Sequence, residues 1–403
     1  MPRGPPLEPS FMRNVWILTL AQAFAACGTL TMFAFGGIVG THVAPLPALA
    51  TLPLTCTVAG TASASLPMAL LMHRLGRKPT VIGSALLAVA AALLCAWAVA
   101  HANFWLLCAG GFLLGCNMAV VHQYRFAAVE FAGPDEAGRA VATVMLGTLA
   151  AAIVAPTLGG QVRGLGGWPE FTGSFIVLAG LLLVAALVLT RLDHTPVHRE
   201  ARQEAGRPLL AILREPGYRT AVLCGLVSYV VMSFIMTATP ISMHVHHGFS
   251  AGQTTSVISA HLLGMYLPSL ATPLIVRLLG LQTMILGGIV TMLLSILIAA
   301  FVGQAFVHYF LGLVLLGLGW NLMFVAATAL LTTTYASHER HRAQGFNDLA
   351  VFGSQAVASL LAGPAIETLG WTTMNLVGVP LLLLALFTLR RLPTAPATAL
   401  LRS

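Results

Sequence analysis

Charged side chains are scarce in this chain, and their scarcity restricts the class of protein that it can form. Asp, Glu, Lys and Arg make up 8% of the 403 residues, hydrophobic residues make up 58%, and mean hydropathy is +0.88. A soluble domain carries roughly 25% charged residues, so this composition cannot cover a water-facing surface. A membrane-spanning helix needs about 20 mainly apolar residues, and twelve such spans use most of the chain. We therefore expect an integral membrane protein.

The sequence also lacks the motifs of enzymes and of structural metal sites. It has no GxSxG, HExxH, P-loop or dinucleotide-binding motif, and its loops are too short for a soluble active site, so we expect no enzyme. The six cysteines lie in apolar segments without CxxC spacing and are expected to pack as small apolar residues. No cleavage-site pattern follows the first apolar run, which is therefore expected to remain as a span.

Apolar runs between helix breakers predict an all-α membrane protein with twelve transmembrane helices in two six-helix bundles. Residues 1–191 are expected to form the first bundle, 192–216 a polar cytoplasmic linker, and 217–403 the second bundle. The predicted spans are 14–38, 46–72, 79–100, 104–126, 139–162, 170–191, 218–242, 252–276, 281–303, 306–334, 343–366 and 371–389.

Basic residues are missing from almost every loop on one side of the predicted membrane. Of the 20 Lys and Arg residues, 19 fall on the side of the termini, and Arg163 falls on the other side. Basic residues near span ends resist translocation, so we expect an inner-membrane protein with both termini in the cytoplasm. The net charge of +8 is thus a sign of topology, and the expected partner is the lipid bilayer and no nucleic acid.

The two halves of the chain resemble each other at an offset of about 204 residues. Leu114–Asn117 has the sequence LGCN and Leu318–Asn321 has LGWN, while Pro156 late in span five has a counterpart in Pro364 late in span eleven. Parallel repeats of six spans are typical of transporters whose substrate site lies between two bundles, near the bilayer midplane.

Two short segments carry a family resemblance. The loop after span two is HRLGRK (His73–Lys78), and span five ends in APTLGG (Ala155–Gly160). They resemble the D-R-x-G-R-R/K and G-P-x-x-G-G signatures of the major facilitator superfamily, with His73 in place of the aspartate and Ala155 in place of the first glycine. Together with the topology, the resemblance covers the whole chain and implies an alternating-access transporter.

Ionisable residues inside or beside a span are candidates for function. Arg74 and Arg77 lie in the loop after span two, where basic groups can pair with carboxylates and helix C-termini. Arg125 ends span four and Asp348 lies near the start of span eleven. These four residues are candidates for gating or coupling, either by pairing near the cytoplasmic face to stabilise one state or by contacting the substrate.

Spans seven and eight carry methionine and histidine pairs at helical spacing. Met232 and Met236 are four residues apart, as are His261 and Met265, so each pair shares a helix face. Met232 and His261 are predicted roughly 15 Å deep, about the centre of a 30 Å core. Thioethers select Cu(I), and imidazole binds copper in either oxidation state. The same residues also suit helix packing, or a hydrogen bond from His261 to an organic substrate.

This constellation resembles the metal site of the bacterial copper importers that supply cbb-type cytochrome c oxidase assembly. The resemblance implies that Met232, Met236, His261 and Met265 bind copper, which moves from periplasm to cytoplasm as cargo, with no cofactor and with a cytoplasmic copper acceptor as partner. Two alternatives stay open. One is a transporter of an organic solute such as riboflavin or a drug, and the other is a membrane sensor that binds metal.

The predicted outer loop between spans seven and eight contains three histidines, His244, His246 and His247. Histidine-rich tracts are metal-binding by composition, so we hypothesise a capture site that feeds the inner cluster. The alternative is a polar helix end with no role in transport.

Overall fold

The computed structural model describes residues 9–132, 137–193, 207–336 and 339–392. Within these ranges the chain is helical and contains no strand. The α-helices are α1 Pro9–Ala25, α2 Cys27–Val43, α3 Leu52–Leu75, α4 Arg77–Ala100, α5 Phe104–Val121, α6 Tyr124–Ala132, α7 Ala137–Gln161, α8 Thr172–Leu189, α9 Leu209–Arg214, α10 Pro216–Pro240, α11 Ala251–Tyr266, α12 Thr272–Leu297, α13 Phe306–Thr332, α14 Arg340–Leu376 and α15 Gly378–Arg390.

Ten stretches in the described ranges are long and apolar enough to cross a membrane. Two further crossings follow from the backbone path. The 49-residue stretch 342–390 reverses at Gly370 and crosses twice, and α11 continues into the first part of α12, which reverses at Gly280. The predicted fold of twelve spans is confirmed. We call the membrane face where α1 begins and α15 ends the terminal face, and the other the opposite face.

Glycine makes three of the helix reversals possible. Gly76, Gly280 and Gly370 have φ of 89°, 77° and 69° with ψ of 162°, 163° and 172°. This region is essentially restricted to glycine, because a Cβ would clash with the backbone. Gly76 and Gly280 are 204 residues apart, so the internal repeat extends to the backbone conformation of equivalent turns.

The helices of the first bundle approach one another through small residues. A Cβ at Gly60 would collide with the carbonyl oxygen of Phe112, and one at Gly115 with the carbonyl oxygen of Thr57. Lipid tails are as apolar as leucine, so helix association in membranes depends on such close van der Waals packing. Gly60 and Gly115 therefore set the distance between α3 and α5.

Replacing Gly115 with alanine is expected to destabilise the protein by about 1–3 kcal/mol, because backbone of α3 must move to accept the methyl group. Gly180→Ala in α8 is the matched control, since a Cβ there meets nothing within 4 Å. The melting temperature in detergent should fall for Gly115→Ala and stay level or rise for Gly180→Ala. Equal melting temperatures for the two variants would contradict the packing argument.

Two helical groups meet along a limited interface. Within the first group α3 packs on α5, α4 on α8 and α1 on α7, and within the second α12 packs on α13, α10 on α14 and α11 on α13. The groups meet where α14 packs on α3, α11 on α7 and α10 on α2. The exact borders proposed for the bundles stay a prediction. Residues 194–206 of the predicted linker lie outside the described ranges.

The end of that linker is held to the second group of helices by a buried carboxylate. Glu339, whose side chain is 1% exposed, accepts hydrogen bonds from Arg207 through the backbone N (3.1 Å), Nε (2.7 Å) and Nη2 (2.8 Å). It also accepts one from the Ala336 backbone N–H at 3.0 Å. Two-pronged arginine–carboxylate pairs are among the stronger hydrogen-bonded contacts. They fix the chain before α9 to the turn before α14.

The bonds from Arg207 lower the pKa of Glu339 to about 2 from its ordinary 4.5. Its contribution to stability is therefore present above pH 4.5 and is lost as the pH falls towards 2. We expect Glu339→Gln to lower the melting temperature at pH 7 and to remove part of the acid-dependent loss between pH 4.5 and 2. Glu170→Gln is the control, because its ion pair with Arg163 (3.1 Å) is half exposed. If the melting temperatures of wild type and Glu339→Gln fell in parallel between pH 4.5 and 2, the contribution of the Glu339 carboxylate to acid sensitivity would be refuted.

Candidate functional site

Five aromatic rings from four helices of the second group converge at mid-membrane, and we call them the aromatic cluster. Tyr229 of α10 lies edge-on to Trp320 (5.1 Å between centroids), Phe324 (4.8 Å) and Phe352 (5.6 Å). Trp320 stacks on Phe324 at 5.2 Å and 16°, and Tyr266 of α11 lies edge-on to Trp320 at 6.3 Å. These spacings are those of favourable aromatic pairs.

Helical spacing and depth explain why this cluster is unusual. Trp320 and Phe324 are four residues apart on α13, so their rings share one face. Trp320 lies 12 residues before the end of α13 at Thr332, or about 18 Å at 1.5 Å per residue. Trp and Tyr are normally enriched at the membrane–water interfaces. Trp320 is instead 4% exposed, and its indole N–H has no hydrogen-bond partner within the described part of the chain.

Polar and charged groups lie on the terminal side of the aromatic cluster. His122, just after α5, stacks on Phe352 at 6.2 Å and 24°, which joins the two groups of helices. Arg125 of α6 and Asp348 of α14 are both exposed, and their opposite charges attract each other. Both also act electrostatically on the Tyr229 hydroxyl. Because Asp348 precedes Phe352 by four residues, these two side chains share a face of α14.

The two groups of helices touch on the side of the opposite face. The Ser359 hydroxyl of α14 accepts from Thr55 of α3 at 3.2 Å and from Thr237 of α10 at 3.4 Å. A Cβ at Gly363 would lie 2.6 Å from the carbonyl oxygen of Ala48, just before α3. The exposed charges Arg125 and Asp348 lie near the other end of their spans. The cleft between the groups is therefore closed at the opposite face and accessible from the terminal face.

The four predicted metal ligands are buried: Met232 and Met236 are 3% exposed, His261 0% and Met265 5%. Helix α10 packs on α13 and α14, whereas α11 packs on α13 and α7. The His261 ring faces α13, since its Nδ1 lies 2.7 Å from the Leu313 carbonyl oxygen and donates to it. Metal binding by these residues stays a prediction. The chain as described holds no group of three or more His, Cys, Asp or Glu side chains able to hold a metal ion.

The three histidines of the predicted capture site bind separate partners. His244 and His247 place their Nδ1 atoms 2.7 Å from backbone carbonyl oxygens, and His246 Nε2 lies 3.4 Å from a carboxylate oxygen. These partners are Phe249, Ser242 and Glu367 respectively. His244 and His247 therefore hold the turn between α10 and α11 in shape, and His246 joins this turn to α14. A role of the three histidines in capture stays a prediction.

The candidates for gating fall into two places. Arg74 lies in the last turn of α3 with an exposed side chain, and Arg77 begins α4 at the Gly76 turn. Arg125 and Asp348 lie on different groups of helices on the terminal side of the aromatic cluster, where their opposite charges attract each other. A role of any of the four in gating stays a prediction.

The sequence of both helical groups matches a known protein family. A family model described as Major Facilitator Superfamily matches residues 17–223 and, a second time, residues 221–402. The chain belongs to the Major Facilitator Superfamily. It is therefore a multi-pass membrane protein of a transporter family, and proteins of this family are generally not enzymes.

Two curated relatives extend the comparison over most of the chain. The riboflavin transporter RfnT of Brucella anthropi is 38% identical over 93% of this chain and 94% of its own length. The uncharacterized MFS-type transporter YdeG of Bacillus subtilis is 28% identical over 91% of this chain and 89% of its own.

Solved structures of the superfamily have the same fold. The nucleoside transporter NupG superposes with a TM-score of 0.67 at 13% identity over 96% of this chain and 99% of its own. A bacterial homolog of the human lysosomal transporter Spinster, inward-facing and unoccupied, gives 0.69 at 16% identity over 95% and 97%.

The prediction of copper import is wrong. The relative at 38% identity is a riboflavin transporter, so the comparisons favour the organic-solute alternative over copper. The predicted copper acceptor and the predicted link to cytochrome c oxidase assembly depended on copper as cargo and are therefore wrong as well. The physical reason is that four-residue spacing of Met232 and Met236 is equally the spacing of a packed helix face. Spacing alone cannot distinguish ligands from core side chains.

The aromatic cluster was not anticipated from the sequence, although one sign of it was available. The repeat places Trp320 where the first half has Cys116, so the second half carries an indole in a segment that is otherwise matched. A tryptophan near the middle of an apolar run departs from the interfacial preference of this residue. That departure identifies Trp320 as a candidate without any structure.

Accessibility of the cleft can be tested with cysteine labelling. We expect Asp348→Cys to react with a membrane-impermeant maleimide that is applied from the terminal face and to be protected from the opposite face. Gly164→Cys, in an exposed loop of the opposite face, should show the reverse pattern, and wild type gives the background of the six natural cysteines. Labelling of Asp348→Cys from the opposite face alone would exclude this arrangement.

Proposed function

We propose that this protein carries riboflavin, or a solute with the same kind of planar heteroaromatic ring, across the membrane by alternating access. The aromatic cluster is the observation that supports this proposal. The substrate named for the Brucella anthropi relative supports it independently. We further propose that the membrane is the bacterial inner membrane and that the terminal face, where the basic residues lie, is cytoplasmic.

The ring system of riboflavin suits the cluster chemically. It is a flat, fused tricycle, and such rings gain about 1–3 kcal/mol per stacked partner in comparable base–aromatic contacts. Tyr229, Phe324 and Phe352 are half-buried, so they keep ring surface available at the cleft. Trp320 is buried behind them, stacked on Phe324 and edge-on to Tyr229.

The position of the site suits alternating access. The cluster belongs to one group of helices, and His122 and Arg125 approach it from the other. Closure at the opposite face rests on the hydroxyl contact of Thr55 with Ser359 and on small residues such as Gly363, which separate at little cost. Rocking of the two groups would then expose the same rings to either side of the membrane.

Trp320→Ala should weaken riboflavin binding by about 5- to 150-fold, because the cleft-facing rings of Tyr229 and Phe324 lose the indole that holds them in place, and the expected loss equals that of one stacked partner, about 1–3 kcal/mol. Trp105→Ala is the matched control, since Trp105 is 65% exposed at the start of α5, away from the cleft. Binding is read from the quenching of riboflavin fluorescence with purified protein, and transport from uptake into vesicles.

Wild-type protein that neither binds nor transports riboflavin would exclude the flavin as substrate. Equal losses in Trp320→Ala and Trp105→Ala would instead exclude the aromatic cluster as its site. An excess of copper ions is expected to leave riboflavin uptake unchanged.

A further inference from the structure

Two side chains of opposite charge, Asp348 and Arg125, lie within membrane spans. A site that only stacks a planar ring would not need them. Asp348 is six residues into the span that begins at Arg342, and Arg125 is four residues from the end of the span at Val129. At 1.5 Å per residue these depths are about 9 Å and 6 Å. Charged side chains within a span are costly and mark functional sites. Each is close in sequence to a ring at the aromatic cluster: Asp348 precedes Phe352, which contacts Tyr229 at 5.6 Å, by one turn, and Arg125 follows His122, which stacks on Phe352.

The hydrogen-bonding capacity of the pair is only partly used within the protein. The Asn347 amide donates to Asp348 Oδ1 at 3.2 Å, which leaves Oδ2 for another donor. Both residues are exposed to the cleft, so a solute can reach them. The guanidinium of Arg125 is a planar set of donors that suits carbonyl and carboxylate oxygens. Together the pair offers an acceptor beside a donor at the edge of an aromatic platform.

One edge of the flavin ring has the complementary pattern. Its pyrimidine ring carries an imide N–H between two carbonyl oxygens, so a donor lies directly beside acceptors. A ring stacked on Tyr229 and Phe352 with this edge towards the terminal face would direct the edge at Asp348, which shares a helix face with Phe352.

We propose that Asp348 and Arg125 form a specificity subsite for the imide edge of a flavin, with Asp348 accepting the imide N–H and Arg125 donating to a neighbouring carbonyl oxygen. This inference rests on the proposed function and adds the basis of selectivity. Asp348 and Arg125 belong to different groups of helices, so a solute held by both also bridges the cleft. Planar aromatic solutes without an imide N–H would stack but leave the carboxylate unsatisfied, and such a site rejects them.

The test compares riboflavin with 3-methylriboflavin, in which a methyl group replaces the imide hydrogen and the stacking surface is kept. With full-length protein in detergent or vesicles, wild type should bind riboflavin about 10- to 100-fold more tightly, the range for a hydrogen bond to a charged group. Asp348→Ala should weaken riboflavin binding to the level of the methylated analogue and abolish the preference.

Two further variants separate recognition from structure. Asp348→Asn keeps a carbonyl acceptor, so it should retain part of the preference for riboflavin, which a purely structural role would not require. Glu170→Ala, in the loop of the opposite face, is the matched control and should keep the full preference. If Asp348→Ala does not fold, the binding of the two flavins to wild type and to Asp348→Asn still tests whether Asp348 recognises the imide N–H.

Equal binding of riboflavin and 3-methylriboflavin by wild type would overturn this subsite while the flavin site itself stands. An undiminished preference in Asp348→Ala would overturn it in the same way. If wild type binds neither flavin, the proposed function fails, and the subsite fails with it.

Discussion

The need to satisfy every polar group inside hydrocarbon governs this structure. The backbone meets that need through helices, which bond all their own N–H and C=O groups. Side chains meet it by crossing between helices: Ser84 donates to Asn117 at 2.9 Å, and Asn321 donates to the Met265 carbonyl oxygen at 2.6 Å. Against this background, a polar group left exposed or unpartnered at depth is informative. Arg125 and Asp348 are charged groups exposed at depth, and they lie on the two sides of one cleft.

Much of the fold could be predicted, because hydropathy and charge are sums over many residues. The twelve spans and their pairing into repeats follow from apolar length and from breakers, and neither depends on a single contact. The positions of the helix ends were harder to predict. Span one divides at Ala26 into α1 and α2, and the reversals at Gly280 and Gly370 lie inside long helices. Their cause is a backbone conformation that the residue type permits but does not impose.

The site was harder to predict because it depends on which helices pack together. Met232 and His261 lie on consecutive spans, and spacing made them candidates for a shared ligand set. In the structure α13 packs against both α10 and α11. The carbonyl oxygen of Leu313 in α13 accepts the hydrogen bond from His261. Tyr229 and Tyr266, which join the aromatic cluster, are three residues from Met232 and one from Met265. The sequence pattern thus pointed to two helices that carry the aromatic cluster but not to the faces that bear its rings.

The division of the site between the two groups of helices bears on how a carrier couples binding to movement. A solute can shift the equilibrium between states only by its difference in affinity for them. Stacking on Tyr229, Phe324 and Phe352 involves the second group alone, so it stabilises all states in which those rings stay together. Contacts with His122 and Arg125 exist only while the first group is close. In the proposed site, affinity for the solute would reside mainly in the aromatic rings, whereas the conformational response would come from the polar contacts that cross the cleft.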